Sequence, residues 1–460
     1  MANSVPLDDL IDRAIKGVKD IQSKNEDELK AWLKGKPLTP PNIPVRGGMC
    51  LTTDDGLQAL HDFGRRWRDE ESSRRDRIEA DDAARLAVKV FGDMIDGVVL
   101  KDLPPNTEAK SAFKDLLQAN LDALSHELEF SFPCRLFDDD QVQPFEVGPV
   151  RFRKREVWID DVASRASPTP LSWVTPVKSF WSGQGPAPVG SDLTAKAVTE
   201  EFISNWVAAV SVSGRTLRSA QSVAELAVRT AIDTLGLPLH TPLARNLRGP
   251  GDEVRARLKR SFVQMKGRDI TYSSSLDLPR LAQRPGDYAA FVADTAPLRS
   301  AAGKTITTIL EATPSASTPM LQQRWVEALH WFGEARREIV PRIALVKYGI
   351  VLDVLAEGKR TKGILSLCCA LFDMSESDSA TSTGLTLKAL IKKIYEEGRS
   401  QIAHGGNLFL RADIPIACED ADFVAAAALE RYLRFVDVYS GPDDYSNFLK
   451  DIPALRTRIT

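Results

Sequence analysis

Apolar positions recur at three- and four-residue steps through most of the first 125 residues. LDDLIDRAIKGVKDI sets Leu10, Ile11, Ala14, Val18 and Ile21 on one face, which predicts an amphipathic helix. KGKPLTPPNIPVRGG (residues 34–48) interrupts the pattern; its prolines exclude helix and predict a loop. In RRWRDEESSRRDRIEADDAARLAVKVF, arginines alternate with Asp and Glu ahead of an apolar face. A solvated, salt-bridged helix is the expectation there, ahead of an RNA-binding stripe. Around Leu128 the period shortens to two: LEFSFPCRLF and FEVGPVRFRKREVWI flank DDDQVQP and predict a small β module of at least two strands. In the second run Arg151, Arg153 and Arg155 take one face, and Phe152, Lys154 and Glu156 the other. The arginines are either phosphate ligands or, more commonly, the wet side of a half-buried strand.

SGQGPAPVGSD (182–192) reads as a linker, after which SDLTAKAVTEEFISNWVAAV predicts a helix capped by Ser191 or Asp192. TLRSAQSVAELAVRTAIDTLG predicts another, closed by Gly236. ARNLRGPGDEVRARLKRSFVQMKGR is locally basic, and Arg255, Lys259 and Arg260 within it form a weak candidate RNA-facing group. TPSASTP (313–319) precedes four or five further helices, in which Trp325, Ala328, Leu329 and Phe332 share one face, a second helix stops at Gly358, and DADFVAAAALERYLRFVDVYSG closes the chain. The organisation expected is a helical region 1–125, a β module 126–182, a helical middle 190–315 and a helical bundle 319–460. The class is mostly α, and α+β overall.

A net charge of −3 over 460 residues excludes a whole-protein polycation, so any nucleic acid must meet a local basic surface. Five scattered cysteines show no zinc spacing, and Cys368 and Cys369 sit in an apolar run that predicts buried thiols. Asp138, Asp139 and Asp140 are adjacent acids in a turn, read as solvated ahead of a metal site. His330, between Leu329 and Trp331, reads as a packing residue, and His61, His126 and His240 lack companions at a useful spacing. No nucleotide-binding glycine loop stands out, and no metal or other cofactor is expected. The early charges and the lack of a long apolar stretch predict a cytoplasmic protein without a membrane partner.

One stretch carries specific chemistry: YEEGRSQIAHGG, from Tyr395 to Gly406. A surface Arg and a C-terminal His facing the helix dipole would account for Arg399 and His404 without any activity. The longer run Tyr395, Arg399, Ser400, His404, Gly405, set among these helices, resembles the HEPN superfamily, closest to its Apea-like branch. That family carries an R-x(4–6)-H motif, and the likeness covers roughly residues 319–445. The resemblance implies a homodimer through the bundle, in which two motifs complete one cleft. It also implies a place in anti-phage defence or toxin-type growth arrest, with a phage or host trigger. Gly405 and Gly406 after the histidine depart from the H-x-Y of HEPN toxins paired with a nucleotidyltransferase. Asp353 best matches the acidic or polar residue that some members carry on an earlier helix.

The chemistry implied needs no metal. Cutting RNA through its own 2′-hydroxyl requires a base, an acid for the leaving 5′-oxygen, and positive charge on the transition state. His404 suits base or acid and Arg399 the phosphate clamp, with a 2′,3′-cyclic phosphate and a 5′-hydroxyl as products. Ser400, Asp353, Tyr395 and Asn407 are supporting candidates, and the substrate is tRNA or single-stranded RNA. On an ideal α-helix, residues five apart diverge by about 140°, so Arg399 and His404 would not share a face. The competing reading is a bundle that binds RNA, a nucleotide or a protein without cutting.

Overall fold

The face formed by Leu10, Ile11, Ala14, Val18 and Ile21 is buried in full, lining helix α1 (Leu7–Gln22) in the computed structural model of the protein. The structure describes residues 5–34, 36, 40–96, 107–165, 171–188, 192–202, 204–250, 257–264, 270–277, 286–381, 384–400 and 414–459. The fold is mostly helical with small antiparallel sheets. The chain divides into two compact units: residues 1–128 with 212–223 and 311–313, and residues 129–211, 224–310 and 314–460.

The first unit continues from α1 through α2 (Glu26–Lys34), strands β1 (Asn42–Val45) and β2 (Gly48–Leu51), and helices α3 (Asp54–Glu70), α4 (Ser72–Arg77), α5 (Ala80–Ile95) and α6 (Thr107–Leu124). The proline-rich stretch is more than a loop. β1 and β2 pair as a hairpin with Val45 opposite Gly48, and Ile43 is buried. Pro44 is tolerated because each strand of a two-stranded ribbon has a free edge. The charge-dense segment is also not one helix: Glu71 and Ile78 take extended backbone and divide it. Its arginines serve the exposed carbonyls so created. Arg68 donates to the Ile78 carbonyl at 2.7 Å, and Arg74 donates to that of Trp67 at 3.1 Å while lying 4.4 Å over its ring. Phe63, Phe91 and Phe113 meet at 5.1 and 5.9 Å in the core beneath.

The second unit holds a four-stranded sheet, apart from its end residues Leu128 and Val212. The strands are β3 (Leu128–Cys134), β4 (Phe145–Val147), β5 (Val150–Lys154) and β6 (Trp206–Val212), in the order β3-β6-β5-β4. Two expectations are corrected here. The helix predicted over 191–210 ends early: Asp192 caps α9 (Leu193–Glu201) by accepting from the Ala195 N–H at 3.0 Å, but Trp206 onward is strand. WVAAVSV is apolar but for Ser211, the pattern of an inner strand covered on both faces, which periodicity alone does not distinguish from a buried helix segment. Strand β5 stops at Lys154, and Arg155 begins helix α7 (Arg155–Arg165), so the three arginines do not share a strand face. Arg151 is 2.6 Å from Glu129 and Arg153 pairs with Asp161, which makes them structural ion pairs.

Helix α8 (Val174–Trp181) follows α7, and α10 (Leu217–Gly236) ends on the expected glycine before α11 (Thr241–Ala244). The middle region, read as helical, also contains the antiparallel hairpin β7 (Arg257–Gln264) and β8 (Ile270–Asp277), ahead of α12 (Asp287–Asp294) and α13 (Ala296–Leu310). Asp139 is not solvated. It is buried, and its two oxygens accept from the Gln141 and Gly286 N–H groups at 3.0 Å each.

The bundle comprises α14 (Pro319–Arg337), α15 (Pro341–Leu355), α16 (Arg360–Phe372), α17 (Leu387–Lys392), a π-helical segment Lys393–Ser400, α18 (Ile414–Val438) and α19 (Tyr445–Ile459). The last lies beyond the helix expected to close the chain. Trp325, Ala328, Leu329 and Phe332 are buried as predicted, and the Trp325 indole donates to the Leu429 carbonyl at 2.9 Å. His330 departs from expectation: it is exposed, edge-on to Trp331. Cys368 is buried and Cys369 half-buried, both as free thiols. Among the described residues no helix is long and apolar enough to cross a membrane.

A polar clasp joins the bundle to the end of α10 and the start of α11. Arg336 grips Asp422 through two hydrogen bonds of 2.7 and 2.9 Å and also donates to the Gly236 carbonyl. Asp422 further accepts from the hydroxyls of Tyr348 and Thr241, both at 2.8 Å. Removing one partner would leave a buried charge uncompensated, at a typical cost of about 3–5 kcal/mol. Asp422→Ala is therefore expected to lower unfolding free energy by about that amount in urea titrations. A loss below about 1 kcal/mol would show that the clasp is dispensable.

Candidate active site

Two elements build the site. Helix α15 is aliphatic along most of its length, burying Leu345, Val351, Leu352 and Leu355, yet it also buries Asp353. Opposite it, Thr386 caps α17 by accepting from the Ala389 N–H, and Leu387, Leu390 and Ile391 anchor that helix in the core, with Ile394 of the next segment buried beside them. From Lys393 the backbone widens into π-helical hydrogen bonding, which adds a residue to the turn and rotates the side chains beyond it. Such insertions are frequent at functional sites.

The widened turn brings Tyr395 and Arg399 onto Asp353. Arg399 Nη1 lies 3.2 Å from Asp353 Oδ2 and donates to the Tyr395 hydroxyl at 2.5 Å, while its guanidinium sits 5.0 Å from the Tyr395 ring centre. The Tyr395 hydroxyl in turn donates to Asp353 Oδ2 at 3.4 Å. Burial pushes the Tyr395 hydroxyl above the ordinary phenol range; the Asp353 charge adds to this and the Arg399 charge opposes it. Tyr395 therefore remains protonated at neutral pH and serves as a donor. Asp353 Oδ1 accepts from the Arg360 N–H at 3.1 Å, so both its oxygens are engaged. The Arg399 side chain keeps 34% of its surface exposed against 12% for Asp353. The arginine is thus held through Nη1 while part of its side chain stays exposed.

Of the residues singled out by sequence, Asp353, Tyr395 and Arg399 thus converge. Ser400 ends the π-helical segment. His404, Asn407 and Arg255 lie outside the described residues, and Lys259 and Arg260 sit on β7, opposite Ser275 and Ser274 of β8. The angle expected between Arg399 and His404 falls on a stretch that continues beyond Ser400, outside the described residues. Among the described residues no group of three or more His, Cys, Asp or Glu side chains is placed to hold a metal.

Sequence reasoning missed Gly349. A Cβ added there would stand 2.8 Å from the Arg399 Cβ, so the π-helical segment approaches α15 at the one position without a side chain. Gly398 does the same in reverse, since a Cβ there would meet Leu345 at 2.8 Å. A glycine inside an aliphatic helix, costing about 1 kcal/mol relative to alanine, was the available signal. No family model, curated protein or solved structure matches the chain.

Gly349→Ala is a test with an unusual sign. In an unobstructed helix interior it should stabilise by about 0.5–1 kcal/mol. Here the crowding against Arg399 is expected to outweigh that gain and destabilise by about 1–3 kcal/mol in denaturant melts. A stabilised variant would mean that the two elements do not meet at Gly349.

Proposed function

We propose that the bundle is a metal-independent endoribonuclease of the HEPN type, a cytoplasmic, homodimeric effector of anti-phage defence or growth arrest. The observation that carries the proposal is the meeting of Asp353, Tyr395 and Arg399 on two separate elements, with Arg399 partly open to solvent. Their residue types suit the task. Guanidinium remains charged and grips phosphate oxygens through paired N–H groups, and a clamp already held in direction costs little to reorganise during reaction.

In the proposed reaction the 2′-oxygen attacks the adjacent phosphorus as a base removes its proton. The bond from phosphorus to the 5′-oxygen breaks, and an acid protonates the departing oxygen. The products are a 2′,3′-cyclic phosphate and a 5′-hydroxyl. His404 takes the base or acid role on its place in the Tyr395–Gly406 run, and a second copy from a partner chain supplies the complementary step. Arg399 carries the charge of the phosphorane-like transition state, with Asp353 and Tyr395 orienting it.

One observation favours the competing, non-catalytic reading. Asp353 already balances the Arg399 charge, as it would in a bundle that binds RNA, a nucleotide or a protein without cutting. Cleavage separates the two. Purified protein incubated in EDTA with total tRNA or labelled single-stranded RNA is expected to yield cyclic-phosphate ends. Arg399→Ala and His404→Ala are each expected to reduce the rate by at least about 100-fold, in line with loss of a charge-stabilising donor or a general base. Equal cleavage by wild type and both variants would sink the assignment.

A further inference from the structure

The turn entering α16 carries cations that the motif does not explain. It reads Glu357-Gly358-Lys359-Arg360-Thr361-Lys362, with Glu357, Gly358 and Arg360 all in the left-handed region at φ 59°, 68° and 58°. This turn is tied directly to the site. The Asp353 carboxylate accepts the Arg360 N–H on one oxygen at 3.1 Å and stands 3.2 Å from Arg399 through the other. The Thr361 hydroxyl donates to Glu396, a neighbour of Tyr395, at 3.1 Å. The Arg360 charge is felt at the Tyr395 hydroxyl.

The three cations of the turn are not equivalent. Lys359 is already committed, lying 2.9 Å from Glu357 and 4.5 Å over the Tyr445 ring. Arg360 and Lys362 are exposed, and among the described residues neither has a carboxylate within ion-pair distance. Several other bundle cations are paired, Arg324 with Glu357, Lys388 with Glu376 and Arg434 with Glu430. Lys392, Lys393, Lys450 and Arg458 are, like Arg360 and Lys362, without an ion pair among the described residues, but of these only Arg360 and Lys362 lie on the turn bonded to Asp353. Nor do Arg360 and Lys362 help their own helix. They occupy the first turn of α16, where positive charge opposes the helix dipole. Two cations without a carboxylate partner among the described residues, at a positive helix end whose Arg360 backbone N–H bonds the carboxylate that holds Arg399, make a local anion-attracting surface in a chain of net charge −3.

We propose that Arg360 and Lys362 bind the backbone of single-stranded RNA, holding phosphates next to the one clamped by Arg399. The identity of the polyanion rests on the nuclease reading; the positive surface rests on the exposure and unpaired charge of the two side chains. Each backbone contact on a single strand contributes about 0.7 to the slope of log affinity against log salt, so two contacts contribute about 1.4 and roughly 25-fold in affinity at 0.1 M salt.

The probe is a fluorescein-labelled 20-mer of 2′-O-methyl uridine, which keeps the phosphates but has no free 2′-hydroxyl to react. Its binding to the full chain is followed by anisotropy across a salt series. The double variant Arg360→Gln, Lys362→Gln is expected to bind about 25-fold more weakly at 0.1 M salt, with the slope shallower by about 1.4. Lys388→Gln, which removes a cation engaged elsewhere, is expected to match wild type. Thermal melts confirm that each variant is folded. Unchanged affinity and slope in the double variant would overturn the proposal, as would failure of the wild type to bind the 20-mer. A separate assay on unmodified RNA reads the nuclease assignment alone. Salt-dependent binding without any cleavage would remove that assignment and leave this surface standing.

Discussion

Helix α15 buries two polar side chains, Tyr348 and Asp353, among aliphatic neighbours, and the architecture of the bundle depends on satisfying them. A buried polar group left without a partner costs about 1–3 kcal/mol, more when charged, so each must be met by something reaching in. Tyr348 is met by Asp422, which draws in Arg336 and Thr241. Asp353 is met by Arg399, Tyr395 and the Arg360 N–H. Aliphatic burial holds α15 in place but sets no direction, because the hydrophobic effect is non-directional. The polar pair supplies the direction. Between them Gly349 leaves the gap through which the π-helical segment approaches, so the position of Arg399 depends on how α15 packs.

The long helices were legible because their 3.6-residue period persists over several turns, as with Leu10, Ile11, Ala14, Val18 and Ile21 in α1. Strand β6 was not. WVAAVSV has no period to read, and only the strands on either side of it decide its conformation. The arginine alternation that misplaced Arg155 failed for a related reason: a strand of five residues ends where its partners end, and polar alternation continues past that point. Arg336 and Arg337, adjacent at the end of α14, reach Asp422 and Asp233 across nearly 90 and just over 100 positions of sequence. No local pattern contains such a pair.

The candidate site was legible in part, for a chemical reason. Arg399 belongs to a recognisable run, and an aspartate amid aliphatics on α15 had to be either exposed or matched by a cation. The structure has it buried and matched. The π-helical turn was illegible, since residue types in Lys393–Ser400 are compatible with an ordinary helix and the distinction depends on contact with Leu345 and Gly349.

The pairing of Arg399 with Asp353 also constrains what the site can do on its own. Opposite unit charges about 4 Å apart attract by about 4 kcal/mol at an effective dielectric of 20, and from a distance such a pair presents almost no net charge. It is therefore a good orienting device and a poor lure for a polyanion. With the salt screening length near 8 Å at physiological ionic strength, attraction must come from unpaired charge close by. Arg360 and Lys362, with no carboxylate partner among the described residues, meet that requirement, and the Arg360 backbone N–H bonds the same carboxylate that directs Arg399. Under the proposed reading, capture and orientation would fall to different residues joined through one buried aspartate, so a single displacement of Asp353 would disturb both.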